Sequence, residues 1–128
     1  MNPRIASIEN LVASDPGGRN IFGLMVTDQL RLAAQTLRWA RRVTIISGFY
    51  IPEARASETD GPPGAKVLGD ALCTLGVAVD YVTDSWNEKV FRSLGIAPVV
   101  IDAPADMHGF LSSSRPTHVV SIERVGRG

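Results

Sequence analysis

Two carboxylates and a hydroxyl fall together in the segment from Glu58 to Ala65, which reads Glu-Thr-Asp-Gly-Pro-Pro-Gly-Ala. Carboxylate oxygens suit a divalent cation, and they also serve as general acids and bases. Asp60 has a structural alternative, because an aspartate followed by Gly61 and two prolines can cap a helix. Capping leaves Glu58 unexplained, so the segment predicts a functional loop that uses both carboxylates.

The beginning of the following helix predicts a site for an anion. Backbone N–H groups near Gly64 and Ala65 would lack partners inside the helix, and such groups bind a carboxylate or a phosphate. Thr59 and Gly61 lie beside them and are predicted to contact the same small molecule. The loop thus offers partners for a cation and for an anion.

A strand and a helix must hold this loop in place. Residues 42–50 are rich in β-branched and aromatic side chains, which predicts a strand buried on both faces. After the loop, helical spacing joins four apolar side chains that would pack on the sheet: Ala65, Leu68, Leu72 and Leu75. Open α/β sheets bind their ligands at such strand-to-helix junctions.

Further strands are predicted at residues 77–83, 98–102 and 118–124, and helices alternate with them. Ser85 and Glu88 have the spacing of a capping box, and a short helix is expected near residues 110–113. Two helices precede the first strand, one beginning at Asn2 and one carrying an apolar stripe over residues 26–40. We expect one α/β domain over residues 1–128, with a mainly parallel sheet of about four strands in a Rossmann-like three-layer arrangement.

Acidic residues end three of the predicted strands. Asp84, Asp102 and Glu123 would gather with the acidic loop at one edge of a parallel sheet. A helix cap explains Asp84 equally well, and a turn explains Asp102. Glu123 and Arg124, opposite charges at the end of an apolar strand, predict either an ion pair or a ligand contact. His118 begins the same strand at the far end, where a structural role fits better.

Composition excludes several classes of protein. The 128 residues include thirteen basic and thirteen acidic side chains, so no net charge attracts nucleic acid or an anionic membrane. Cys73 is the only cysteine and is predicted to be a small residue in or near the core. No apolar run is long enough to cross a bilayer, and a cytoplasmic location is expected.

Two other segments are better explained without a ligand. Residues 15–20 are glycine-rich, but they lack the spacing of a phosphate-binding loop and do not follow a strand. Four arginines near the end of the second helix fit a solvated helix face: Arg31, Arg38, Arg41 and Arg42.

Several motifs in order resemble the D-glutamate cyclase-like C-terminal domain family. The likeness covers almost the whole chain, and its most specific parts are Glu58 to Ala65 and the Ile-Glu-Arg string ending at Arg124. The other matching segments are Asp15-Pro16-Gly17 with Arg19, Ser47-Gly48-Phe49, Leu75-Gly76, Val82-Thr83-Asp84, His118 and Gly126-Arg127. The resemblance implies an α/β fold, the cyclisation of D-glutamate to 5-oxo-D-proline with loss of water, and a divalent metal, manganese or magnesium. Similar domains continue to a second Gly-Asp-Gly-Gly-Asn-Glu motif, so the resemblance also implies that residues 1–128 are the N-terminal half of a longer domain.

Each demand of that reaction has a candidate residue. Glu58, Asp60 and Glu123 are expected to be catalytic, and Glu58, Asp60 and Asp84 are expected to bind the metal. Four residues are expected to hold the substrate: Thr59, Gly61, Gly64 and Arg124.

Two alternatives stay open at this point. The same acidic edge would serve a metal-dependent phosphatase acting on a small phosphorylated metabolite. A non-catalytic ligand-binding or assembly module is the other alternative. An exposed strand edge near residues 119–122 would favour that module and a homo-oligomer.

Overall fold

A computed structural model describes residues 3–124, which belong to two compact units, Met1–Trp39 and Ala40–Gly128. The first unit contains helix α1 (Pro3–Ala13), a 3₁₀ helix (Ile21–Leu24) and helix α2 (Gln29–Arg38). Asn2, the expected cap of the first helix, lies outside the described residues. Glu9 of α1 accepts hydrogen bonds from the backbone N–H groups of Asp28 (3.0 Å) and Leu30 (2.9 Å), and it thereby fixes the start of α2.

The second unit is an α/β fold, as predicted. Its elements in chain order are β1 (Arg42–Gly48), β2 (Tyr50–Ile51), β3 (Ala56–Ser57), α3 (Gly61–Thr74), β4 (Ala78–Thr83), α4 (Glu88–Ser93), β5 (Val99–Val100), α5 (Pro104–Ser114) and β6 (His118–Arg124). Four strands form one parallel sheet in the order β5-β4-β1-β6, and helices flank it in a Rossmann-like three-layer arrangement. The short strands β2 and β3 pair antiparallel as a separate hairpin.

The strand order creates a ligand-binding position. From β1 the chain passes to β4 and β5 on one side of the sheet, and it then returns to place β6 on the other side of β1. In open parallel sheets, such a reversal leaves a crevice at the carboxyl ends of the two strands that border it. Those strands are β1 and β6 here, and the acidic loop follows β1 in the sequence.

The core of this unit joins β1 to the helix that follows it, α3. Val43, Ile45 and Val82 are almost completely buried, and Ala65 and Leu72 of α3 are buried as well. Helix α3 packs against β1, β4 and β6. It therefore presents its first turn, and the loop before it, to the edge where β1 and β6 end.

Several details differ from the sequence predictions. Cys73 is exposed and Leu75, at the C-terminal cap of α3, is 60% exposed, so the apolar stripe of this helix is shorter than predicted. Helix α4 begins after Asn87, and the Ser85 backbone N–H bonds the Asp102 side chain, so the predicted capping box does not form. Among the described residues, no helix has the length and apolar character needed to span a bilayer.

Candidate functional site

A bulge near the end of β6 determines where Glu123 lies. Ser47 pairs with Ile122 and Gly48 pairs with Arg124, so Glu123 is the extra residue between two regular pairs. Its φ of 45° is left-handed, which is unfavourable for a residue with a side chain. Bulges redirect side chains at strand ends. Here the bulge brings the Glu123 side chain against Gly61, at the first turn of α3.

Three carboxylates meet at this position. Glu58, Asp60 and Glu123, called the acidic triad below, offer oxygens that all lie within 4.8 Å of one another. Asp60 is the N-cap of α3, and its Oδ1 accepts a hydrogen bond of 3.2 Å from the Gly61 N–H. The three residues therefore lie at one edge of the sheet, as expected from the sequence, and their roles stay predictions.

The electrostatics of the triad favour a bound cation or a shared proton. The pKa of Glu123 is raised, first by a hydrogen bond with the Asp60 side chain, then by desolvation and by the negative charges of Asp60 and Glu58. The backbone N–H of Gly61 acts in the opposite direction and lowers the pKa of the same carboxyl group. Clustered carboxylates therefore repel one another here, and a cation would relieve that repulsion.

The spacing of the triad fits a hard divalent cation. Magnesium binds oxygen at about 2.1 Å and calcium at up to about 2.6 Å, so oxygens on opposite sides of one ion are about 4 to 5 Å apart. The 4.8 Å limit within the triad agrees with that range. Oxygen donors are also the ligands that magnesium and manganese prefer. The triad therefore offers three oxygen donors of the kind that either ion prefers.

Gly61 and Ser47 lie next to each other beside Glu123. A Cβ atom on Gly61 would lie 2.9 Å from Ser47 Oγ and 3.0 Å from Glu123 Cβ, so a side chain there would displace one of them. Ser47 is completely buried, and its hydroxyl has no hydrogen-bond partner within residues 3–124. Sequence reasoning missed this residue as a site component. Its position at the carboxyl end of the strand before the acidic loop was the available signal.

Arg124 and Asp84 bond each other at the same end of the sheet. The guanidinium of Arg124 reaches across β1, where Nη1 bonds the Gly48 carbonyl (3.2 Å) and the Asp84 carboxylate. The other Asp84 oxygen accepts hydrogen bonds from the backbone N–H (3.0 Å) and the side-chain amide (2.8 Å) of Asn87. Asp84, expected as a metal ligand, is thus engaged with Arg124 and Asn87 and is not a member of the triad.

Thr59 and Gly64 lie at the same edge as the triad, whereas His118 does not. Thr59 is exposed between two triad residues, and the Gly64 N–H donates to the Asp60 carbonyl at 3.3 Å. Pro62 and Pro63 have no N–H group, so the first turn of α3 has few donors left for a ligand. His118 is at the opposite end of β6, with Nδ1 3.1 Å from Thr117 Oγ1.

The fold and the site together define a class of protein, an α/β protein with a carboxylate cluster at the switch point of a parallel sheet. The family model for the D-glutamate cyclase-like C-terminal domain matches residues 8–128, and the chain belongs to that family. It is also 31% identical, over 146 aligned residues, to the human protein "D-glutamate cyclase, mitochondrial". The alignment covers 97% of this chain and 24% of the human protein, so the chain spans about a quarter of the length of this curated relative.

Proposed function

We propose that this protein takes part in the conversion of D-glutamate to 5-oxo-D-proline and water, with the acidic triad as its reaction site. Membership of the D-glutamate cyclase-like family and the name of the human relative support this substrate and product. The convergence of Glu58, Asp60 and Glu123 at the sheet edge is the observation that carries the proposal. Within residues 3–124 it is the only group of three or more metal-ligand side chains close enough to share one ion.

The reaction joins the two ends of one substrate molecule. The ammonium group first loses a proton, and its nitrogen then attacks the γ-carboxyl carbon. A C–N bond forms and a C–O bond breaks, and the nitrogen loses a second proton. The departing oxygen leaves as water with both protons, so atoms and charges balance. The site must therefore accept a proton, return it to the departing oxygen and hold the chain of the substrate bent.

Glu58, Asp60 and Glu123 would hold magnesium or manganese, since their oxygens lie within 4.8 Å of one another and are the hard donors that these ions prefer. When bound, the ion would draw electron density from the γ-carboxyl group and make its carbon more electrophilic. Any triad oxygen left outside the coordination sphere would take the ammonium proton and deliver it to the departing oxygen. The triad thus combines the metal-binding and acid/base roles.

Thr59 and Arg124 would position the substrate. The Arg124 side chain keeps about 30% of its surface exposed while it bonds Asp84, so part of it could meet the α-carboxylate. The fork of donors on a guanidinium suits a carboxylate better than a lysine ammonium does. Asp84 would then act as a positioning residue that limits the movement of Arg124.

The test is the formation of 5-oxo-D-proline from D-glutamate, measured by chiral liquid chromatography with mass detection in the presence of Mg²⁺ or Mn²⁺. Glu58→Gln, Asp60→Asn and Glu123→Gln should each lower the rate by about a hundredfold or more. Glu53→Gln is the matched control, because Glu53 is an exposed carboxylate in the β2–β3 turn outside the triad, and its rate should not change.

Other outcomes would redirect the proposal. Metal-dependent phosphate release from phenyl phosphate, lost in Glu58→Gln, would favour the phosphatase alternative. Binding of Mn²⁺ to the triad without turnover of D-glutamate would refute the cyclase and retain the metal site. Neither turnover nor metal binding, together with a stable homo-oligomer, would favour the assembly module.

A further inference from the structure

A cavity lies beside the acidic loop, between the β2–β3 hairpin and helix α4. Its volume is about 330 Å³, which is at the small end of the range for ligand pockets. The side chains that matter for its chemistry are Tyr50, Arg55, Ser57, Trp86, Lys89 and Val90. We call it the hairpin cavity. None of these residues has a role in the reaction proposed above.

Two aromatic rings line one side of the hairpin cavity. The rings of Tyr50 and Trp86 have centroids 4.9 Å apart and planes tilted by 36°. Trp86 is nevertheless 67% exposed, so most of its indole surface is available to a ligand. Flat unsaturated rings gain binding energy against such surfaces by stacked or edge-to-face contact. This side of the cavity therefore favours a ligand with a flat ring.

The charge of the lining is one-sided. Arg55 and Lys89 contribute two cations to the hairpin cavity, and no carboxylate side chain lines it. In the described part of the chain, neither cation takes part in a salt bridge, whereas Lys66 and Arg92 each pair with an acid four residues away. A cavity with two unneutralised cations and no acid is complementary to an anion. The acidic triad has the opposite preference, so the two sites would select different groups.

The hairpin cavity and the acidic triad are lined by consecutive residues of the chain. Ser57 lines the cavity, and the next residue is Glu58 of the triad. The Glu58 N–H donates to the Phe49 carbonyl at 2.7 Å, which ties this part of the loop to the start of the hairpin. A ligand that orders the hairpin would therefore act on the backbone that carries Glu58.

We propose that the hairpin cavity is a binding site for a small organic anion that carries one flat ring. The ring would lie on the exposed face of Trp86, and the anionic group would meet Arg55 and Lys89. The volume suits a single ring that carries one carboxylate or one phosphate. Aromatic carboxylates and aromatic phosphates share this chemistry. This site is additional to the proposed cyclase function and does not depend on it.

The test uses the fluorescence of Trp86. The chain has two tryptophans, and Trp39 is exposed, so Trp39→Phe leaves Trp86 as the sole reporter. The probes are benzoate, phenyl phosphate and benzamide, added at millimolar concentrations in buffer with a chelator. Benzoate or phenyl phosphate should change the emission saturably, and benzamide, which has the ring without the charge, should bind at least about tenfold more weakly. The tighter of the two anions identifies the carboxylate or the phosphate as the preferred group.

Charge variants in the Trp39→Phe background separate specific binding from simple quenching. Arg55→Gln with Lys89→Gln should weaken anion binding by about tenfold or more, because both counter-charges are lost. Arg92→Gln is the matched control on the same helix, since Arg92 pairs with Glu88 and does not line the cavity, and it should leave the affinity unchanged. No saturable change, equal binding of benzamide, or full affinity in the double variant would overturn the proposal. Neither metal nor turnover is needed, so failure here would leave the cyclase proposal intact.

Discussion

The backbone of Gly61 lies directly against the side chain of Glu123, and a side chain at position 61 would force a neighbour to shift. A Cβ atom at position 61 would be 3.0 Å from Glu123 Cβ and 3.3 Å from its Oε2, with Ser47 Oγ at 2.9 Å. The start of α3 and the bulge of β6 are thus brought together by the absence of a side chain. Glu123 joins the acidic triad because of this close approach.

Gly61→Ala should therefore damage the triad. Overpacking at this position should lower the free energy of unfolding by about 1 to 3 kcal/mol. Displacement of Glu123 should also weaken Mn²⁺ binding by about tenfold or more, as changes behind metal ligands usually do. Thermal unfolding and titration calorimetry measure the two effects.

Gly64→Ala is the control for that substitution. It adds the same methyl group to the same helix, but the added group meets no neighbouring atom. A Cβ at Gly64 would meet no atom within 4 Å. Alanine should raise the stability of the helix by up to about 1 kcal/mol and leave Mn²⁺ binding unchanged. Equal metal affinities in the two alanine variants would contradict the role assigned to Gly61.

Asp60 has two separable roles, as a helix cap and as a charged member of the triad. Asp60→Asn keeps an oxygen acceptor for the Gly61 N–H, now 3.2 Å from Asp60 Oδ1, but removes the negative charge. We expect unchanged or higher thermal stability without metal, and a loss of Mn²⁺ affinity. Asp60→Ala should lose the cap as well and cost about 1 kcal/mol. Full metal affinity in Asp60→Asn would leave Asp60 with the capping role alone.

The sequence predicted the general fold because its strands and helices are local patterns. β-branched runs between turn residues located β1, β4 and β6, and the alternation of strands with helices led to a parallel sheet. The strand predicted over residues 98–102 is only Val99–Val100, which pair with Val82 and Thr83 at the end of β4. Pairing of an edge strand depends on its neighbour, which a local pattern does not reveal.

The details of the site depended on tertiary structure that local patterns do not encode. Regular alternation through Ile122-Glu123-Arg124 gives no sign of a bulge, yet the left-handed backbone at Glu123 turns this residue toward α3. From the sequence, Glu123 and Arg124 were expected either to pair with each other or to contact a ligand. The bulge instead lets Arg124 cross β1 to Asp84, which sequence reasoning had placed among the metal ligands.

Asp84 is expected to be important for stability and for the position of Arg124. Asp84→Ala would remove the partner of Arg124 and two hydrogen bonds from Asn87, in a place where the Asp84 side chain is 16% exposed. We expect a loss of about 2 to 3 kcal/mol in the free energy of unfolding, since a half-buried cation is left without its partner. Urea denaturation of the wild type and of Asp84→Ala measures this loss in the free energy of unfolding.

A double-mutant cycle with Arg124→Met tests whether the pair itself is responsible. The two single losses should sum to clearly more than the loss in the double variant, because each single change removes the same interaction. Additive losses would show that Asp84 acts through Asn87 alone.

The repulsion within the acidic triad should appear as a pH dependence of stability in the metal-free protein. In the unfolded chain Glu123 titrates near its ordinary pKa of 4.5, and in the folded chain its pKa is raised by the Asp60 hydrogen bond, by desolvation and by nearby charge. The folded state therefore holds this proton more tightly, so the stability that Glu123 contributes is full below pH 4.5 and is lost as the pH rises through the raised value. Glu123→Gln removes this loss, so with a chelator present its melting temperature should exceed that of the wild type by a margin that grows with pH. Saturating Mn²⁺ should reverse the difference, because only the wild type keeps all three ligands.

A difference in melting temperature that is constant or shrinks as the pH rises would show that the three carboxylates do not repel one another in the folded protein.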